Sequence, residues 1–180
     1  MENNKLKSKT VHLRLAEVKD AEFIYSLRIN EKLSKHISKV NGTSRDQVEW
    51  LERYKVREQA GQEYYFIIVR NDNHKAVGTV RIYGITEDNR FCWGSWVLNN
   101  EKTVTSAIES AYLIYKFAFE EKGYKSAYFQ VDKENTQVIS FHKKTGANLV
   151  SDDENNENFT YSLDSYNKFK TRYSNFVESK

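Results

Sequence analysis

Between Tyr64 and Leu98 three strand-like runs follow one another, and the shortness of their connections restricts the fold more than any other feature. The runs are 64–70, 76–85 and 90–98. Asn71 to His74 and Glu87 to Asn89 join them, enough chain for a hairpin and too little for a crossover. An antiparallel meander is therefore expected. Residues 104–122 then switch to helical spacing, with Val104, Ile108, Ala111, Tyr115 and Ala118 on one stripe. Thr105, Glu109, Lys116 and Glu120 fall on the other face, and Gly123 is placed to stop the helix. Residues 126–132 alternate again as a strand. Strand, long helix, strand makes a parallel crossover, so the fold class expected is α/β, with a mixed, largely antiparallel central sheet flanked by helices.

The flanking segments fit that plan. Residues 11–15 read as a first strand. Asp20 is expected to cap a helix over 21–30 with Phe23, Ile24 and Leu27 on one face. Residues 31–43 read as polar and irregular. Ser44-Arg45-Asp46-Gln47 has the form of a capping box and opens a helix carrying Val48, Leu51 and Tyr54, ending near Gly61. Downstream, Asn135 and Gly146 bracket a short helix. An acidic loop at 152–157 leads to a last strand at 159–163, and the tail from Tyr166 reads as helical.

The length of 180 residues fits a single domain over 1–180, with the polar start, 1–9, expected to be a flexible tail. The 28 basic residues exceed the 25 acidic ones by three, too few to indicate a nucleic-acid partner. A lone cysteine, Cys92, allows no internal disulfide and suits a reducing compartment. The start MENNKLKSKT holds no apolar core for a secretory signal. The longest apolar run, 64–69, is too short to span a bilayer. A cytoplasmic protein without membrane contact is expected. No C-x-x-C pair, H-E-x-x-H or phosphate-binding G-x-x-x-x-G-K-S/T occurs, so no metal site is expected.

Several stretches resemble the GNAT superfamily of acyl-CoA-dependent N-acyltransferases. Leu13-Arg14-Leu15 through Asp20-Ala21 is similar to its opening strand and helix. Gly78-Thr79-Val80 resembles its third strand, and Gly94-Ser95-Trp96-Val97-Leu98 the end of its fourth. Asn135-Thr136-Gln137-Val138-Ile139-Ser140-Phe141-His142-Lys143-Lys144-Thr145-Gly146-Ala147 resembles its closing motif, N-x-x-A-I-x-h-Y-E-K-x-G-F. Within the superfamily, Arg28 to Asn30, Ser34 to Ser38 and Gln47-x-x-Trp50-Leu51 resemble acetyltransferases acting on nucleotide-linked amino sugars, and more loosely those acting on the N-termini of ribosomal proteins.

The resemblance implies acetyl-CoA as donor, a small-molecule amine as acceptor, and splayed fourth and fifth strands forming a slot for the pantetheine arm. Backbone groups of Trp96, Val97 and Leu98 would line that slot, with Asn135 and Phe141 opposite. The pyrophosphate would meet the N-terminus of the long helix at Lys102, Thr103, Val104, Thr105 and Ser106. That segment lacks the family's glycines, so its hydroxyls and Lys102 would have to replace a bare backbone cradle. A Ser/Thr-capped helix with no ligand is the plain alternative, and a GNAT-like binding module without catalysis is the plain alternative for the whole chain.

His142 stands where the family motif carries a tyrosine, and an imidazole there could protonate the leaving thiolate. The resemblance places His36 and Trp50 on the acceptor side. His36 is a further candidate for the general base, against a plain reading as a solvated loop histidine. Where some relatives hold a carboxylate base, this chain has Cys92, a poor base for an amine and better read as a buried small hydrophobe. Many members of the family are homodimers; no interface is legible here.

Overall fold

In the computed structural model, residues 6–178 are described. Seven strands form one sheet in the order β1-β2-β3-β4-β5-β7-β6. They are β1 (Val11–Leu15), β2 (Tyr64–Arg70), β3 (Ala76–Tyr83), β4 (Arg90–Leu98), β5 (Ser126–Asp132), β6 (Asn148–Asp152) and β7 (Asn156–Ser162). All pairings are antiparallel except β4 with β5, so the expected meander and parallel crossover are both present. The helices are α1 (Ala21–Ile29), α2 (Glu31–Ser34), α3 (Ser44–Gln59), α4 (Ser106–Lys116), α5 (Thr136–Thr145) and α6 (Leu163–Val177).

The interior strand β2 shows no polar alternation because both its faces are covered. Tyr64, Phe66 and Ile68 enter one core with residues of α4 and α6. Tyr65, Ile67 and Val69 enter a second core on the other face, with Ile24 of α1 and Leu51 and Tyr54 of α3. Both faces are covered, and each side chain buried stabilises the fold by roughly 2 kcal/mol.

Local details depart from the sequence reading where side chains find partners it could not foresee. Asp20 does not cap α1. It closes a short 3₁₀ turn at Val18–Asp20, accepting the Glu17 N–H at 2.8 Å and both guanidinium nitrogens of Arg14 at 2.7 Å. The capping box of α3 sits one residue earlier than expected, on Thr43 and Asp46, with the Thr43 N–H donating to Asp46 Oδ2 at 2.6 Å. Gln47 is buried instead. The segment 31–43 is not wholly irregular: Asn30 accepts from the N–H groups of Lys32 and Leu33 and caps α2.

The long helix begins at Ser106, two residues later than expected, and closes with a π-turn at Phe117–Glu121 before Gly123, whose φ of 67° allows the stop. Val104 is fully exposed rather than on the buried stripe. Glu109, expected outside, has no solvent exposure; its carboxylate accepts from the Thr10 N–H at 2.7 Å, the Thr10 hydroxyl at 2.6 Å and the Thr105 hydroxyl at 2.5 Å. A buried carboxylate is tolerated because its lone pairs are met.

The acidic loop is the tip of a β6–β7 hairpin whose first strand was not expected, β7 starts three residues early, and α6 starts at Leu163 behind a Ser162 cap. Of the start expected to be mobile, 1–5 lie outside the described residues. Beyond them, the Ser8 hydroxyl is buried and donates to the Val177 carbonyl at 2.5 Å, and the Leu13 N–H donates to the Leu6 carbonyl at 2.9 Å, so 6–9 are held against the fold. Among the described residues no helix is long and apolar enough to cross a membrane.

Candidate active site

The site begins as a defect in β4. Thr79 pairs with Val97 and Arg81 with Gly94, so two residues of β4 oppose one of β3. This bulge sits at Ser95, whose φ is 48°, and the Thr79 hydroxyl pins it by donating to the Ser95 carbonyl at 2.9 Å. Gly78 lies so close to β4 that a Cβ there would stand 2.2 Å from the Val97 carbonyl oxygen. Two indoles fasten the far side of β4 to α4: Trp93 Nε1 donates to the Tyr115 hydroxyl at 3.2 Å, and Trp96 Nε1 to Ser110 Oγ at 3.0 Å.

β4 and β5 pair only at Arg90 with Ser126 and Phe91 with Ala127. Past those residues the strands part, as expected, and α5 begins at the opening. Three adjoining cavities occupy the gap. One, of about 610 Å³, is bounded by Trp96, Val97, Leu98, Lys102, Asn135 and Phe141. A second, of about 890 Å³ on the other side, is bounded by Tyr83, Arg90, Cys92, Tyr128 and Asn158. A third, of about 100 Å³, lies against Ser95, Asp132, Asn135 and His142. His36 and Ile37 line all three.

His142 is 4% exposed. Its ring sits 4.4 Å from that of Phe129, 5.3 Å from Trp93 and 5.7 Å from Phe141, centroid to centroid. Its Nδ1 is buried without a hydrogen-bond partner among the described residues. Burial away from water holds its pKa down at about 3, so the ring is neutral at pH 7. Asn135 occupies the N-cap position of α5, yet its side chain makes no capping bond. The amide is thus left to face the first and third cavities, where plain capping had been the alternative.

The glycine-free turn before α4 uses its hydroxyls internally. Thr103 Oγ1 lies 2.6 Å from Thr10 Oγ1, Ser106 Oγ accepts the Thr103 N–H at 2.8 Å, and the Thr105 hydroxyl is bound to Glu109. Of the residues expected to hold pyrophosphate, Lys102 borders the first cavity. Thr103, Val104, Thr105 and Ser106 do not; the N–H groups of Ser106 and Glu109 are bound to the carbonyls of Thr103 and Thr105 at 3.3 and 3.0 Å, and Ala107 of the first helical turn borders the cavity beside Lys102. Trp50 also lines none of the three cavities; it stacks on Tyr54 at 5.7 Å, with the Arg57 and Arg81 guanidinium groups over its ring.

His36 does reach the site. Its Nδ1 lies 3.0 Å from Asp132 Oδ2. The bond to His36 is the first cause holding the Asp132 carboxyl below the usual carboxylate range. Sequence reasoning saw Asp132 only as a strand end, and Tyr83, Arg90, Tyr128 and Asn158 not at all as site residues. Burial raises the pKa of the Cys92 thiol, which keeps it protonated.

A sheet parted beside a bulged strand, with a helix N-terminus at one mouth and a second cavity at the other, defines an acyl-transfer scaffold. The chain belongs to the GNAT acetyltransferases: residues 10–148 match the family model for the acetyltransferase (GNAT) domain. It is 45% identical to FdhC, described as a nucleotide-linked sugar GNAT, over 97% of this chain and 99% of that one, with a TM-score of 0.90. Two more distant structures share the fold at 15% identity. Ribosomal-protein-S5-alanine acetyltransferase from Vibrio fischeri has a TM-score of 0.76 over 89% of this chain and 98% of that one. Spermidine N-acetyltransferase from Vibrio cholerae, solved with CoA and spermine, has a TM-score of 0.75 over 87% and 97%. No curated protein matches the chain.

Proposed function

We propose that this GNAT protein transfers an acetyl group from acetyl-CoA to the primary amine of a nucleotide-linked amino sugar. The observation that carries the reading is the 45% identity to FdhC, a nucleotide-linked sugar GNAT, along nearly the whole chain. The volume of the second cavity, about 890 Å³, supports it. That is ample for a drug-sized or larger ligand. Tyr83 and Tyr128 each carry a guanidinium, of Arg81 and Arg90, over the ring, and an aromatic base with a diphosphate would meet these rings and the Arg90 cation, which Asp88 pairs at 2.8 Å.

Coenzyme A fits the first cavity. Asn135 has its amide free of the helix it begins, β4 runs along one wall, and Lys102 stands at the edge. Bound there, acetyl-CoA would supply the thioester. Asn135 would hold the pantetheine arm by hydrogen bonds. A backbone N–H near the Ser95 bulge, from Trp96, Val97 or Leu98, would polarise the carbonyl, an effect on the order of 3 kcal/mol. His142, being neutral, would work as an N–H donor to the departing sulfur rather than as an imidazolium acid. Phe141, Trp96 and Trp93 would keep water from it.

A non-catalytic GNAT module is the second reading, favoured by the glycine-free turn whose hydroxyls are already engaged. Calorimetry with acetyl-CoA and coenzyme A, followed by thiol release with amino-sugar nucleotides, peptides and polyamines, separates the two. Micromolar binding and turnover on the sugar nucleotides support the enzyme. No binding at millimolar coenzyme A would leave the module.

A further inference from the structure

The geometry points to His36 and Asp132 as a general-base dyad for the acceptor amine. The inference rests on the acetyltransferase reading and adds the base that reading lacks. His36 borders all three cavities, which places it where donor and acceptor must meet. Asp132 ends β5, and its Oδ1 accepts the Glu134 N–H at 2.8 Å. This leaves Oδ2 fixed toward the ring. An ionised carboxylate only accepts hydrogen bonds, so Nδ1 of His36 carries the proton and Nε2 is a bare acceptor.

The loop is held in place. Arg28 donates to the carbonyl and hydroxyl of Ser38 at 3.0 and 2.9 Å, and the Ile37 N–H donates to the Ser34 carbonyl at 3.1 Å. The charged and titratable groups sharing these cavities with His36 are Lys32 of α2 and Lys35 just after it, Asp132 at the end of β5 and Glu134 beyond it, His142 of α5, Lys102 before α4, and Tyr83, Arg90, Cys92 and Tyr128 on the acceptor side. Lys35 pairs with Glu134 at 3.3 Å, which offsets its charge.

The step balances as follows. The acceptor nitrogen gives one proton to Nε2 of His36, and its lone pair forms the C–N bond to the thioester carbonyl carbon. The C–S bond breaks and its electron pair leaves on sulfur as a thiolate, which accepts the His142 N–H and takes up one proton from solvent once coenzyme A is released. His36 returns its proton to solvent. Asp132 is a positioning residue, holding the tautomer and the orientation of the ring.

The test compares wild type, H36Q, D132N and D132E by thiol release against pH, by coenzyme A affinity, and by nitrogen NMR of the histidine ring without ligands. H36Q is expected to lower kcat about 100-fold with coenzyme A affinity unchanged. D132N is expected to lose about tenfold and D132E to recover most of it. The resting ring of the wild type should be protonated on Nδ1, with the tautomers mixed in D132N. Wild-type turnover with H36Q within threefold of it, or a ring protonated on Nε2, would overturn the dyad and leave the acetyltransferase reading standing. A wild type that releases no thiol with any amine would overturn both.

Discussion

The carboxylate of Glu109 accepts both the backbone N–H and the hydroxyl of Thr10, at 2.7 and 2.6 Å, and so ties the first turn of α4 to the start of β1. The Val11 N–H adds a longer bond at 3.3 Å. Replacing Glu109 by Ala would leave those buried or part-buried donors without their acceptor. The expected cost is about 3 kcal/mol, read as a lower urea midpoint at unchanged slope. Glu109→Gln keeps an acceptor and should cost less.

His142 should make stability depend on pH. Its folded pKa of about 3 lies below the unfolded value near 6.5. Between those values the unfolded chain binds the extra proton, so stability falls as pH drops through that window and is full above it. Between pH 7 and pH 5 the loss should be about 2 kcal/mol. Urea titrations of wild type and His142→Phe at both pH values check this: the variant should show a correspondingly smaller change.

His142→Phe should also separate chemistry from binding. Under the proposed role, kcat falls while coenzyme A affinity, measured by calorimetry, stays near wild type. Under the non-catalytic reading the change is silent in any activity assay.

Gly78→Ala should open the β3–β4 pairing beside the bulge, because the added methyl would meet a backbone carbonyl rather than a movable side chain. A loss of about 2–3 kcal/mol is expected, again by denaturant titration. The pantetheine wall would shift with it.

Lys102→Ala should weaken coenzyme A about fivefold, a loss of roughly 1 kcal/mol. Added salt should shrink the difference between variant and wild type. Calorimetry at two ionic strengths reads both effects.

What could be read in the sequence was set by periodicity and local turn chemistry. The strands β2 to β5 and the helix between β4 and β5 declare themselves through apolar spacing, and Gly123 and Gly146 through position. β6 did not, because all five of its residues are exposed at the sheet edge and carry no inward stripe. Glu109 did not, because a helical wheel sorts residues by polarity and cannot know that the backbone donors of Thr10 and Val11 will arrive. His142 and Asn135 came from a motif. The His36–Asp132 pair joins residues 96 apart, one in a polar loop and one at a strand end, and no local pattern links them. Trp50 shows the opposite error, an aromatic assigned to substrate that is held by its own neighbours.

The two residue pairs joining β4 to β5 have a mechanical meaning. Arg90–Ser126 and Phe91–Ala127 form a fulcrum at one end of the gap, and the two half-sheets extend from it like the arms of tongs. Beyond that end no backbone rung sets the width of the gap. The width of the gap therefore rests on packing between the half-sheets, where Tyr115 of α4 stacks on Tyr161 at 4.0 Å and Trp93 meets Phe129 at 5.9 Å, and core side chains rather than hydrogen bonds set it.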